Sequence, residues 1–183
     1  MSSRSVFAAI VVPRMVTDPI DNWDAAYTAG PKVRGGSRNG WFERKCRELL
    51  DVAPNHESLR FLSMQSATRE RRESGSLFTW TVLNEQSLQS TLDQLETLLI
   101  FLGDNIEFLF EHLEFDRQGY ALKEIRVALS NALESRDFPE KVTDGGEDDT
   151  PEFMFSWLVA LRSFLSHAKD NDTNVLYVSW HQE

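Results

Sequence analysis

Leu77-Phe78-Thr79-Trp80-Thr81-Val82-Leu83 is made almost wholly of strand-favouring residues. Directly behind it the period changes. Across residues 86–115, Leu88, Leu92, Leu95, Leu98, Leu99, Leu102, Ile106, Leu109, Phe110 and Leu113 recur at steps of three, four and seven, the spacing of one helical face. One long helix, or two broken at Gly103, accounts for it, because a glycine in a helix costs about 1 kcal/mol against alanine. A strand that feeds a block of helices, instead of alternating with them singly, argues against a doubly wound parallel sheet.

Working outward, Leu59–Ala67 reads as a second strand. The link Thr68–Ser76, with Arg69, Arg71, Arg72 and Gly75, makes the pair an antiparallel hairpin with a basic tip. Near the start, Ser5-Val6-Phe7-Ala8-Ala9-Ile10-Val11-Val12 is an apolar, β-branched run stopped by Pro13, the pattern of a buried strand. Asp18-Pro19 opens a short helix through Trp23 to Tyr27. Gly30–Gly40 holds four glycines, a proline and three basic residues besides, and reads as a flexible loop. Trp41–Val52 is a helix with Phe42, Cys46, Leu49 and Leu50 on one face.

On the other side of the block, Tyr120–Ser135 is another helix and Asp137–Asp149 an acidic loop. Thr150-Pro151-Glu152 combines a capping hydroxyl, a proline at the first helical position and an acid at the positive dipole end. That helix runs to about Lys169, and Asn174–Trp180 closes the chain as a strand. Trp80 and Trp157 fall on apolar patterns and are expected in the core. The expected fold is α+β: a single domain spanning 1–183, with an antiparallel or mixed sheet of about four strands and helices packed on one face.

The 183 residues are 41% hydrophobic and 26% charged, which excludes a fully disordered chain. The net charge is -10, and it is unevenly placed. Residues 1–74 carry 12 Lys/Arg against 9 Asp/Glu, whereas residues 75–183 carry 7 against 20. An acidic chain is a poor non-specific binder of a polyanion, so no direct nucleic-acid partner is expected. Cys46 is the single cysteine, which excludes an intrachain disulfide and fits a reducing, cytoplasmic setting. No apolar run approaches a membrane span, and Ser5–Val12 reads as a strand, not a signal peptide.

No motif announces catalysis. Gly30 and Gly35 have the glycine spacing of a phosphate-binding loop and Ser37 stands at its hydroxyl position, but Gly36 replaces the lysine that carries the charge. His56, His112, His167 and His181 lack a second His or Cys at ligand spacing, so neither a metal nor another cofactor is expected. Glu111 and Asp116 place carboxylates near His112, the one arrangement that would suit acid–base work; the plainer reading is a partly exposed helix residue. Cys46 sits on an apolar face and reads as a small buried hydrophobe, not a nucleophile. Whether the chain is an enzyme stays open, with the balance against it.

The most pointed pattern is acidic. Asp104, Glu107, Glu111 and Glu114 recur at steps of three and four on the side of the helix opposite Ile106, Leu109, Phe110 and Leu113. Asp116 and Glu147, Asp148 and Asp149 add to it. A solvated helix face is the bland account. A docking surface for a basic protein partner is the sharper one, because negative potential steers association and charge pairs set specificity. Basic residues form a second group: Arg69, Arg71 and Arg72, with Lys32, Arg34 and Arg38 in another loop. Glu70 and Glu73 interrupt the first three, and no aromatic stacking platform accompanies them in sequence.

In size, acidity and α+β layout the chain resembles the immunity proteins that neutralise bacterial polymorphic toxins, contact-dependent inhibition systems included. The stretch Thr150–Trp180 shares in the resemblance: a capped amphipathic helix, the polar turn Asp170-Asn171-Asp172-Thr173, then a short strand. The resemblance implies a cytosolic, non-enzymatic inhibitor that binds a cognate toxin domain, often one with a basic cleft. The same surface would serve another interaction protein, such as a phage-encoded antagonist of host defence or an adaptor.

Overall fold

A computed structural model describes residues 3–16, 18–21, 23–72, 75–142 and 149–182. Its centre is a five-stranded antiparallel sheet in the order β2-β1-β5-β4-β3. The strands are β1 (Arg4–Val12), β2 (Lys32–Arg38), β3 (Thr68–Arg71), β4 (Leu77–Leu83) and β5 (Asn174–Gln182). The helices are α1 (Trp23–Ala29), α2 (Trp41–Leu50), α3 (Glu85–Asp104), α4 (Ile106–His112), α5 (Leu122–Glu134) and α6 (Pro151–Asp170), with a 3-10 helix at Glu57–Ser63. The fold is α+β, with one strand more than the four expected.

Both ends of the chain supply the middle of the sheet. β1 lies between β2 and β5, and β5 lies between β1 and β4. A strand buried on both faces cannot alternate apolar with polar, which is why Ser5–Val12 is nearly continuous in apolar residues. Phe7 and Ala9 face the large core under α2, α3 and α6, while Ala8, Ile10 and Val12 face the opposite side. The large core is anchored by Trp157 of α6, fully buried, whose ring meets Phe7 edge-on at 4.7 Å between centroids. Thr150 caps α6, its hydroxyl oxygen accepting the Phe153 N–H at 3.1 Å, the arrangement read from Thr150-Pro151.

Several expectations need correcting. First, Gly30–Gly40 is not a flexible loop: Lys32–Arg38 is β2, paired with β1 over its whole length. The glycines there make room. A Cβ on Gly35 would lie 3.0 Å from Phe153 and Phe7 and 3.2 Å from Trp157, and one on Gly36 would lie 3.1 Å from the Ser5 carbonyl oxygen. Aromatic rings lie against the strand where a side chain would be. Ser37 is fully buried and works locally, accepting the Phe42 N–H at 3.1 Å and donating to Glu43 at 3.1 Å, so it caps the start of α2.

Second, Leu59–Ala67 is not a strand. Its first part belongs to the 3-10 helix, where Leu59, Phe61 and Leu62 are buried, and Met64 ends the turn at φ +61°. The strand lies beyond it, in Thr68–Arg71, which the sequence assigned to the hairpin link. All four of its residues are exposed, because β3 is an edge strand, and charge on an edge discourages pairing with other chains. Third, the helical block breaks at Asn105 and not at Gly103. Asn105 ends α3 and opens α4, its side-chain amide and backbone N–H both donating to the Phe101 carbonyl oxygen at 3.0 Å. Side-chain competition for the backbone stops the helix where the glycine does not.

The second face of the sheet is covered more lightly. α1 lies across it with no buried residue of its own. Trp23 contacts Phe78 and Trp180, and Tyr27 contacts Trp180. Trp80, expected to be largely buried, is only half-buried here beside Phe78.

Candidate partner-binding surface

The acidic residues sit on three successive pieces of chain. Asp104 is the last residue of α3, Glu107 and Glu111 belong to α4, and Glu114 and Asp116 lie in the turn after it. All five are exposed. They do not share one helix face, because the break at Asn105 redirects the chain and Glu114 has φ +55°.

α4 is held by what it buries and by α2. Ile106, Leu109 and Leu113 anchor it inward, and Phe115 anchors the turn. From α2, the buried Lys45 donates from Nζ to the Leu113 carbonyl oxygen at 2.6 Å and to Glu48 at 2.7 Å. An ammonium at a helix C-terminus complements both the unpaired carbonyls and the dipole. His112 Nε2 donates to the Glu48 carbonyl oxygen at 3.0 Å, and Trp41 Nε1 donates to Gln118 at 3.2 Å. Three contacts therefore fix α4 and its turn on α2, and the outward side chains are presented from a rigid base.

What α4 presents is not purely acidic. Phe108 is 52% exposed and stacks on His112 with centroids 5.3 Å apart. Ile100 on α3 and Val127 on α5 are exposed as well, at 64% and 50%. Glu107 forms an ion pair with Arg126 of α5, the neighbour of Val127, and Glu114 pairs with Arg117. The like charges are thus partly neutralised within the chain, while large apolar side chains stand among them. The sequence reading passed over Phe108; the signal that could have found it is an aromatic residue placed outside the apolar face of Ile106, Leu109, Phe110 and Leu113.

The remaining candidates are placed elsewhere or otherwise engaged. Asp149 accepts the Arg38 N–H of β2 at 2.8 Å, and Glu147 and Asp148 lie outside the described residues. The basic residues do not gather. Lys32, Arg34 and Arg38 belong to β2 at one edge of the sheet, while Arg69 and Arg71 belong to β3 at the other, with Arg72 just beyond. Four strand spacings, about 19 Å, separate those edges. Lys32 and Arg34 face Glu140 at 3.7 and 3.9 Å, and Arg72 pairs with Glu70 at 2.9 Å.

The imidazole of His112 bonds a backbone carbonyl, which accepts only, so its Nε2 carries the hydrogen. Cys46 is buried, and that burial, followed by the nearby Glu43 carboxylate, pushes its thiol well above the ordinary range. A thiol held neutral in this way is a packing group. Among the described residues no three His, Cys, Asp or Glu side chains converge as a metal site, and no helix is long and apolar enough to cross a membrane. The fold and this surface define an α+β protein with an acidic, partly apolar helical face. No family model matches the chain, and no curated protein or solved structure does.

Proposed function

We propose that this chain is a non-enzymatic, protein-binding inhibitor acting in the bacterial cytoplasm, an immunity protein that neutralises a cognate toxin domain of basic character. The observation that carries the reading is the outward side of α4, where Glu107 and Glu111 flank a half-exposed Phe108. Carboxylates alone solvate a helix. An aromatic side chain left in water among them is what an interface uses as an anchor, with charge around it for steering and register.

The test is affinity capture from the native host, followed by surface plasmon resonance against the captured partner at two salt concentrations. Phe108→Ala should weaken binding by roughly tenfold or more through faster dissociation, as loss of a buried anchor does. Glu107→Arg with Glu111→Arg should slow association, most strongly at low salt. An association rate unmoved by charge reversal at low salt, together with an unchanged dissociation rate for Phe108→Ala, would show that this face is merely solvated.

A further inference from the structure

An exposed phenylalanine on a helix is free to turn about two torsions, and ordering it when a partner arrives costs affinity. Phe108 is not left free in this way. It stands four residues before His112 in α4, the spacing at which side chains of one helix meet. The two rings stack, with centroids 5.3 Å apart and planes 19° from parallel. One face of the phenyl ring is therefore already covered, and the other stays open to solvent.

The imidazole is itself held from outside α4. Its Nε2 donates to the Glu48 carbonyl oxygen at 3.0 Å, in the last turn of α2, where a helix leaves carbonyls without an internal partner. Glu48 is gripped in turn: its carboxylate accepts from Nζ of the buried Lys45 at 2.7 Å, and the same ammonium donates to the Leu113 carbonyl oxygen at 2.6 Å. Two residues of α2 thus hold two consecutive residues of the chain, with different results. Lys45 holds the backbone at the end of α4. Glu48 holds only a side chain, and an exposed one. What that second bond fixes is the plane of the imidazole, and the plane of the imidazole is the surface on which Phe108 lies.

We propose that His112 is a positioning residue for the protein-binding surface: with its plane set by the Glu48 carbonyl, it holds the Phe108 ring in the orientation in which a partner receives it. The histidine that stood out as a candidate acid or base serves instead to order the anchor beside it. The proposal rests on the inhibitor reading for its purpose, and on the stack and the hydrogen bond for its geometry. Holding the ring in advance removes part of the ordering cost of association.

The experiment is fluorine NMR of the full chain with 4-fluorophenylalanine in place of Phe108 alone, in the presence of His112 and in His112→Ala and His112→Gln. Glutamine keeps a side-chain N–H for the Glu48 carbonyl but brings no ring. Both side chains are exposed and Lys45 still holds Leu113, so these variants keep the fold. The expected result is that both variants move the fluorine signal toward its value in the urea-unfolded chain. An unmoved signal in His112→Ala overturns the proposal, and so does an unmoved signal in His112→Gln, because the bond to α2 would then be all that matters. Against the partner captured from the native host, His112→Ala should weaken binding roughly three- to tenfold, the cost of ordering one side chain. It should weaken no further a chain that already carries Phe108→Ala. A loss that persists in the double variant overturns the proposal, since His112 would then act without Phe108. The fluorine signal judges the placement of the ring and Phe108→Ala judges the inhibitor reading, so the two fail separately.

Discussion

The two faces of the sheet are both aromatic, and they are built to different standards. Under α2, α3 and α6 the rings of Phe7, Phe42, Phe153 and Trp157 are fully buried and in mutual contact. Beneath α1 the rings of Trp23, Tyr27, Trp80 and Trp180 touch one another or Phe78, yet each keeps part of its surface in water. The difference lies in the covering element. A twenty-residue helix such as α6 lays several turns of apolar side chains on the sheet, whereas the seven residues of α1 bury none of their own. Aromatic content by itself therefore says little about stability; what matters is how much area the partner element removes from water.

That comparison can be broken by experiment. The largest effect is expected from Trp157→Ala, which removes the largest fully buried side chain and should cost about 3–5 kcal/mol in a urea denaturation midpoint series. Gly35→Ala comes next, at about 1–3 kcal/mol, because the new methyl meets three rings that have nowhere to retreat. Trp80→Ala on the lighter face should cost about 1–2 kcal/mol, in keeping with its partial burial. If Trp80→Ala costs as much as Trp157→Ala, the two faces contribute equally to stability despite their different coverage.

The smallest effect has the opposite sign. Gly103 lies inside α3, is exposed, and has nothing within 4 Å of where a Cβ would stand. Gly103→Ala should stabilise by about 0.5–1 kcal/mol, by lowering the entropy of the unfolded chain, and raise the melting temperature by a few degrees. A loss of stability would mean that the glycine serves the break at Asn105 after all.

The elements legible in advance were those whose own residues carry a period or a cap. The run Leu77–Leu83 alternates Phe78, Trp80 and Val82 toward α1 with Thr79, Thr81 and Leu83 toward the large core, and it is β4. α6 begins at its threonine cap because that hydroxyl accepts from a neighbour three residues away, a purely local event. The acidic residues were legible as a spacing and are exposed, but their arrangement was not. The turn of the chain at Asn105, the clamp of Lys45 on Leu113 and the pairing of Glu107 with Arg126 all join residues distant in sequence or a backbone bend that spacing cannot reveal.

By itself the sequence determined the α+β class, the strong strands, the long helices, the buried thiol of Cys46 and the acidic second half, because each follows from local composition or from a period within one segment. Only the tertiary structure decided that a glycine-rich stretch is β2, that a charged link is the edge strand β3, and that the basic residues stand on opposite edges of the sheet. The physical reason is common to all three. A strand carries half of each hydrogen bond and half of each packed surface, so whether a weakly patterned segment becomes one depends on the partner beside it. For β2 that partner is β1, with the rings of Phe7, Phe153 and Trp157 closing over Gly35.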